Sequence, residues 1–509
     1  MSPYYNNLLS ACLPINKKFA VTLSVDENQF LDLDIKFLEK IKPKSRKTKY
    51  SLPQKFTLGQ INPEKVPYAF GIDLGTTRCC AAVNRRNGIE TVALDNMGER
   101  LLPSYVAFDE EKEKCGQIVI NRLRNHAKSS VFDSKRIIGK KFEDINIDQS
   151  WTFEVIQDKK SLMLQHSTNI LEQLTNKLML ILKALENNDT FTKSETTIGT
   201  RLIPPEYIAS VLLEHIKEKV EEFEGSRKAR VMITIPSTFT DSQKDSTCVA
   251  AILAGFDVVD FMPEPVAAAF GYLIEQPRTD HNFTFLLFDL GGGTLDICIF
   301  KFERNQIEIL SQNGNQNLGG RDFDNVLINF FSQKLFYDYG INDFGSKKYK
   351  LMLECQKIKE ILSTCDEAFL EIDEIVFSIE ETIKIARREF EELSTELLEK
   401  IKTCVIYSLK ECELKAENID KILLVGGGSR MPMIKELLRN LFPNSEHLCA
   451  KHPEEIVAVG AAYYSCYLAS LLIEDKKLLE LTEYQYESEE ENEEEIASDE
   501  VMIGFLRSK

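Results

Sequence analysis

Along residues 68–84, YAFGIDLG and TTRCCAAVN are apolar runs separated by a glycine turn, the pattern of a strand, a turn and a second strand. HNFTFLLFDLGGGTLDICIFKF at 281–302 repeats it. Between the two, apolar residues recur at helical spacing over Tyr207–Phe223, ARVMITIP at 229–236 reads as a strand, and DSQKDSTCVAAILAGF at 241–256 reads as a helix that stops at a glycine. KILLVGGGSRMPMIKELLRNLF at 421–442 adds strand, glycine turn and helix, and Leu171–Glu186 has the apolar spacing of a further amphipathic helix. Strands alternating with helices in this way predict an α/β architecture.

The two hairpins share more than a period. GIDLGTT at 71–77 and FDLGGGT at 288–294 each end an apolar strand in an Asp, followed by Leu-Gly and a Thr. Two hairpins of one design predict two similar lobes. Taken alone, each is either an ordinary tight turn, its Asp capping the turn, or a grip for phosphate. If the lobes face one another, the turns offer backbone N–H groups and Thr hydroxyls to an anion, and the glycines allow phosphate close to the chain. Asp73 and Asp289 would then hold a magnesium ion through water, as suits a hard cation that keeps its hydration. No GxxxxGK[ST] loop or complete GxGxxG fingerprint competes for that role.

A chain of 509 residues with 43% apolar residues has material for about two to four compact units. A net charge of -18 and a pI near 5.1 exclude general binding to nucleic acid or anionic membranes, which needs a basic surface. Nine of the acids lie between Glu487 and Glu500 without a base, which predicts a disordered, solvated tail. Lys42–Lys49, KPKSRKTK, reads as a flexible basic arm, with a nuclear-entry signal as the alternative. The twelve cysteines show no C-x-x-C pair and read as reduced core thiols. The N-terminus shows no secretory pattern, which points to the cytoplasm or nucleus. Ile456–Ile473 is uncharged for about the length of a membrane span, yet its three tyrosines, two serines and many small residues predict a buried core helix and no membrane crossing.

GIDLGTT, VFDSKRIIGKKF, IPSTFTDSQK, PEPVAAAFGY, LLFDLGGGTLD, LGGRDFD, ILLVGGGSRMP and VGAAYY occur in the order and approximate spacing of the ATPase domain of the seventy-kilodalton heat-shock chaperone family. From about Tyr68 to about Ile473 the chain resembles that family. The resemblance implies an actin-like ATPase fold, two α/β lobes, each a mixed sheet flanked by helices, around a nucleotide cleft. It implies an N-terminal extension over 1–67, lobe I over 68–277 with an insertion near 161–200, and lobe II over 278–450. A helix over 451–475 would return to lobe I, and 476–509 would be the acidic tail. Within that fold, Asp73 and Asp289 resemble the carboxylates that organise Mg²⁺, with K⁺ nearby as a further candidate, and Asp296 matches a third acid. Gly75, Thr76, Thr77, Gly291, Gly292, Gly293 and Thr294 match the turns around the β- and γ-phosphates. Lys135 matches the lysine that positions the attacking water, and Glu264 the cleft glutamate tied to metal, water and lobe coupling. Gly319, Gly320, Gly426 and Gly427 match turns against ribose and adenine, with Lys359, Ser363 and Arg430 at the adenine site. Pro236 and Lys244 resemble the switch that links the lobes.

Departures from the family pattern carry their own expectations. Glu360 replaces an arginine that stacks on the base, Gln356 a ribose-binding glutamate, Gly428 a serine and Arg321 an acid, so adenine nucleotide is expected to bind, but more weakly or less base-selectively than usual. Asp260 replaces an arginine that pairs with acidic J-domains, and Pro263 a neighbouring Asn; charge reversal turns attraction into repulsion. The overall plan resembles a truncated, microsome-associated member of the family, an ATPase core without a peptide-binding domain, and LLEL at 478–481 faintly resembles an interdomain linker. Two functions follow. One is a monomeric, slow Mg²⁺-dependent ATP hydrolase that regulates partners in protein folding. The other is a nucleotide-sensing scaffold with little turnover that recruits nucleotide-exchange factors or other proteostasis proteins. A sugar kinase on the same fold is disfavoured, because no sugar-facing base is evident.

Overall fold

The computed structural model describes residues 19–25, 31–37, 55–57, 70–85, 87–110, 112–157, 190–196, 199–225, 230–275, 282–341, 344, 347–375, 379–449 and 452–470. Phe70–Asp73 and Arg78–Arg85 form the first hairpin, with Asp73 opposite Cys80. Arg78–Arg85 buries both faces between two charged ends, so its run of small and apolar residues does not alternate. One sheet runs Val258–Pro263, Arg230–Ile235, Phe70–Asp73, Arg78–Arg85 and Gly88–Thr91. The first three strands are parallel because Asp241–Leu253 carries the chain back over the sheet between Arg230–Ile235 and Val258–Pro263. That helix starts where Thr240 and Gln243 satisfy each other's backbone N–H groups in a capping box.

The second sheet repeats the plan. Its order is Glu446–Cys449, Lys421–Val425, Phe283–Leu290, Leu295–Glu303, Gln306–Asn315 and Lys55–Thr57. Again the first three strands are parallel and a hairpin follows, with Asp289 opposite Asp296. The repeated Asp-Leu-Gly hairpins therefore sit at equivalent places in two equivalent sheets, as their sequences predicted. The predicted helix at Tyr207–Phe223 spans Pro205–Glu224 and ends on Gly225, whose φ of 69° is the left-handed conformation of a helix stop.

Two helices join the halves. Glu264–Glu275 and the helix over residues 456–470 share one core with Met232 and Met262 of the first sheet and Phe285, Leu287 and Phe300 of the second. The described part of the uncharged run is thus the buried core helix its small residues predicted, and no described helix is long and apolar enough to cross a membrane. Small residues matter here because the backbones nearly touch: a Cβ on Gly271 would lie 2.6 Å from the Ile456 carbonyl oxygen, and one on Gly460 would overlap the Ala267 carbonyl.

Sequence reasoning gave no strand upstream of residue 68. Phe19–Val25 and Leu31–Phe37 pair as an antiparallel hairpin, and Lys55–Thr57 extends the second sheet at the edge of Gln306–Glu308, where Lys55 pairs with Glu308 at 3.1 Å. In the insertion, Thr190–Thr196 and Gly199–Ile203 add to Glu154–Gln157 in a three-stranded sheet. The helix expected at Leu171–Glu186, the basic arm, the LLEL segment and the acidic tail lie outside the described residues.

Candidate functional site

The two glycine turns meet where the two sheets face each other. A Cβ on Gly293 would lie 2.6 Å from Cγ2 of Thr76, and one on Gly292 would overlap the Thr77 side chain. Only glycine lets the second hairpin approach the threonines of the first. Gly426 is held by a second constraint: its φ is 76°, and a Cβ there would lie 2.5 Å from Asp289 Oδ1.

A cleft of about 540 Å³ opens beside these turns. Its lining brings together Asp73, Lys135, Glu264, Asp289 and Thr294 with the turn residues Gly75, Thr76, Thr77, Gly291 and Gly292. Farther along lie Gly320, Lys359, Ser363, Gly426, Gly427 and Arg430. Of the residues expected to hold phosphate, metal or base, three do not line it. Gly293 and Gly319 pack against each other behind the turn, a Cβ on Gly319 falling 2.7 Å from the Gly293 nitrogen. Asp296 is buried, and its Oδ1 accepts from the Ser237 backbone N–H at 2.8 Å and from the Ser237 hydroxyl. That contact ties the second hairpin to the end of the first sheet.

The floor of the cleft is acidic. Lys135 reaches it from the short turn Ser134–Arg136 and pairs with Glu264, the first residue of Glu264–Glu275, both side chains being buried. Burial lowers the pKa of Lys135, but the charges of Glu264 and Asp73 outweigh it and push the pKa up, so the ammonium is firmly charged. Burial first, and then the Glu264 charge, raise Asp73 to about 7 even though the Thr234 hydroxyl donates to it at 3.3 Å. Asp296 is raised to about 7 by the same two causes in the same order, and Asp289 well above the ordinary carboxylate range by burial and then Glu264. One lysine thus faces several carboxylates whose charges burial and mutual repulsion disfavour, and further positive charge is what this floor lacks. Among the described residues, no group of three or more His, Cys, Asp or Glu side chains converges to hold a metal ion directly.

The other end of the cleft is knit by ion pairs the sequence did not disclose. Arg430 donates twice to Glu454, at 2.8 Å each, and Lys359 donates to the Gly320 carbonyl at 2.9 Å and pairs with Asp324 at 2.7 Å. Exposed Glu360 accepts from Gln356 at 3.4 Å and faces Arg78 of the first hairpin at 4.0 Å. Arg78, Asp324 and Glu454 escaped the sequence reading. Arg78 directly follows GIDLGTT and Asp324 closes LGGRDFD, so each had a signal in its motif; Glu454, 24 positions from Arg430, had none.

Comparison with known proteins agrees with this architecture. The family model described as Hsp70 protein matches residues 69–177 and 152–503. The chain is 32% identical over 407 residues to heat shock cognate 70 kDa protein 3 of Dictyostelium discoideum, covering 79% of this chain and 60% of the relative. It is 31% identical over 403 residues to the heat shock cognate HSP70 protein of Trypanosoma brucei brucei, covering 78% and 55%. A heat shock 70 kDa protein of Neurospora crassa is 32% identical over 406 residues, covering 79% and 58%. The chain therefore spans little more than half the length of these curated relatives. With two equivalent sheets, glycine hairpins meeting at one cleft and a family match across most of its length, the chain belongs to the Hsp70 family and has the actin-like fold of that family's ATPase domain.

Proposed function

We propose that the chain binds ATP with Mg²⁺ in this cleft and hydrolyses it slowly, the two nucleotide states changing lobe closure and so regulating partners in protein folding or quality control. One observation carries the reading: Lys135, Glu264, Asp73 and Asp289 converge beside two glycine turns from two equivalent sheets. The backbone of Gly75 and Gly291–Gly292 and the hydroxyls of Thr76, Thr77 and Thr294 take the phosphate oxygens. Lys135 orients the attacking water and offsets charge that develops on the transferred phosphoryl group. Glu264 holds Lys135 in place. Asp73 and Asp289 would suit Mg²⁺ held through its own waters, since burial and the neighbouring Glu264 carboxylate oppose their charges and a cation would relieve them. Bound there, the ion would supply positive charge that offsets the charge of the phosphates. Asp296 belongs to this reading as an outer acid fixed on Ser237, and K⁺ as a further cation beside the phosphates.

Ribose and base lie toward Gly320, Lys359, Ser363, Gly426, Gly427 and Arg430, with Gly293 and Gly319 supporting the turns from behind. In this reading residues 68–277 and 278–450 are the two lobes, and 451–475 returns to the first. Residues 1–67 contribute the edge strand Lys55–Thr57 to the second sheet.

Two departures shape the expected behaviour. Glu360 places a carboxylate where a stacked guanidinium would add about 0.5–2 kcal/mol. Glu360→Arg is therefore expected to tighten ADP binding severalfold by calorimetry; unchanged affinity would remove the base from this end of the cleft. Asp260 already pairs with Arg230 at 2.7 Å across adjacent parallel strands, so its charge is held at the surface by the sheet itself. J-domain proteins with an acidic contact motif are expected to raise single-turnover hydrolysis less than about twofold. A several-fold rise would remove that expectation.

Asp260, Glu360 and Gln356 also favour the second reading, a nucleotide-sensing scaffold that recruits exchange factors with little turnover. Calorimetry of the full chain with ADP, with Mg²⁺ and then with EDTA, tests what both readings share. Binding that Mg²⁺ strengthens is expected; no heat in either titration would overturn both.

A further inference from the structure

Outside the acidic floor, Arg321 is among the most deeply buried charges of the described residues, 1% exposed at the start of Gly320–Tyr339. Its Nε and Nη2 donate to the two oxygens of Asp133 at 3.2 and 3.1 Å, and its Nη1 lies 3.5 Å from Asp324. Its guanidinium lies 5.6 Å from the ring centre of Phe132. Asp133 is 0% exposed and also accepts from the Trp151 indole N–H at 3.1 Å. The two partners come from different halves of the molecule. Arg321 follows the second sheet, and Asp133 follows Ser130–Phe132, which pairs with Tyr105–Ala107 on the side of the first.

The place of Asp133 in its own turn gives the pair its meaning. Asp133 holds a φ of 55°, the left-handed region, and is the residue from which the turn Ser134–Arg136 starts, two positions before Lys135. Arg321 stands one residue after Gly320, and its backbone N–H donates to the Gly292 carbonyl of the phosphate-side turn at 2.7 Å. A second tie runs parallel: Arg136 donates to Asp322 at 2.7 Å and to the Gly293 carbonyl at 3.3 Å, while Asn325 donates to Asp148 at 2.8 Å. The turn bearing Lys135 is thus bolted to the glycine turn of the opposite half through the helix start at 320–325.

We propose that Arg321 is a positioning residue, acting through Asp133, that latches the two lobes together and sets Lys135 against the phosphates only in the latched state. Opening the cleft breaks a buried charge pair, so bound nucleotide leaves slowly. The inference rests on the nucleotide reading of the cleft but is testable apart from it.

Arg321→Gln is expected to speed release of a fluorescent ADP by about tenfold or more and to slow single-turnover hydrolysis of Mg-ATP by a similar factor. Because that variant strands Asp133 as a buried charge, Arg321→Met with Asp133→Asn is measured beside it. The double variant is expected to regain thermal stability while release stays fast. A double variant that regains both stability and slow release would reduce the pair to packing and overturn the proposal. Amide exchange in the nucleotide-free chain separates the two readings. Faster exchange over residues 132–138 and 319–325 in the double variant upholds the latch even if the unmodified chain binds no nucleotide, a result that would fail the nucleotide reading alone. Unchanged exchange overturns the latch.

Discussion

Lys135→Ala will slow single-turnover hydrolysis of Mg-ATP by about 10²–10³-fold, the range found when one preorganised donor to a developing charge is removed. Nucleotide affinity will change much less. The asymmetry follows from where the ammonium sits. Lys135 is buried against Glu264 and within the field of Asp73, so its charge is fixed before substrate arrives and acts on charge that appears only during phosphoryl transfer. In the proposed reading, ground-state grip on phosphate comes from elsewhere, from the glycine turns and the threonine hydroxyls. Quenched-flow measurement of phosphate release beside calorimetry separates the two contributions. Loss of binding together with hydrolysis would make Lys135 a binding or structural residue.

Gly460→Val will destabilise the fold by about 3 kcal/mol, at the upper end of the usual cost of overpacking. A Cβ at 460 would overlap the Ala267 carbonyl, which belongs to a helix backbone and has no side-chain rotamer to escape by. The cost extends into the site. Ala267 lies one turn after Glu264, so pushing Glu264–Glu275 off the 456–470 helix displaces the carboxylate that holds Lys135. Chemical denaturation is therefore expected to show reduced stability, and the surviving folded fraction reduced hydrolysis. Full stability in Gly460→Val would mean that the two helices cross elsewhere.

Much of this was legible in the sequence because it is encoded locally. An apolar strand, Asp, Leu-Gly and Thr specify a hairpin within ten residues, and finding the design twice gave the two sheets before any contact was known. The uncharged run from Ile456 also gave itself away, since its small residues suit a helix packed tightly between others, and it lies between the two sheets. The capping box at Thr240 and the stop at Gly225 are near-neighbour chemistry too, though the sequence reading named neither.

What escaped is long-range. Lys55–Thr57 is three residues long and pairs with a strand some 250 residues later, so neither periodicity nor turn chemistry marks it. Arg321 was visible as a departure from its family, but its partner Asp133 lies 188 positions away. Only folding brings them together. Asp296 shows the same limit within the site: it sits in the right hairpin, yet its side chain serves Ser237 of the opposite half and does not line the cleft.

The cleft's proposed role is that of a working ATPase centre. A single-turnover assay of the unmodified full chain with radiolabelled ATP and Mg²⁺ tests it most directly. Slow, stoichiometric release of phosphate that stops on chelation of Mg²⁺ is the predicted result. Bound ATP recovered intact after prolonged incubation would contradict it and leave a nucleotide-sensing scaffold.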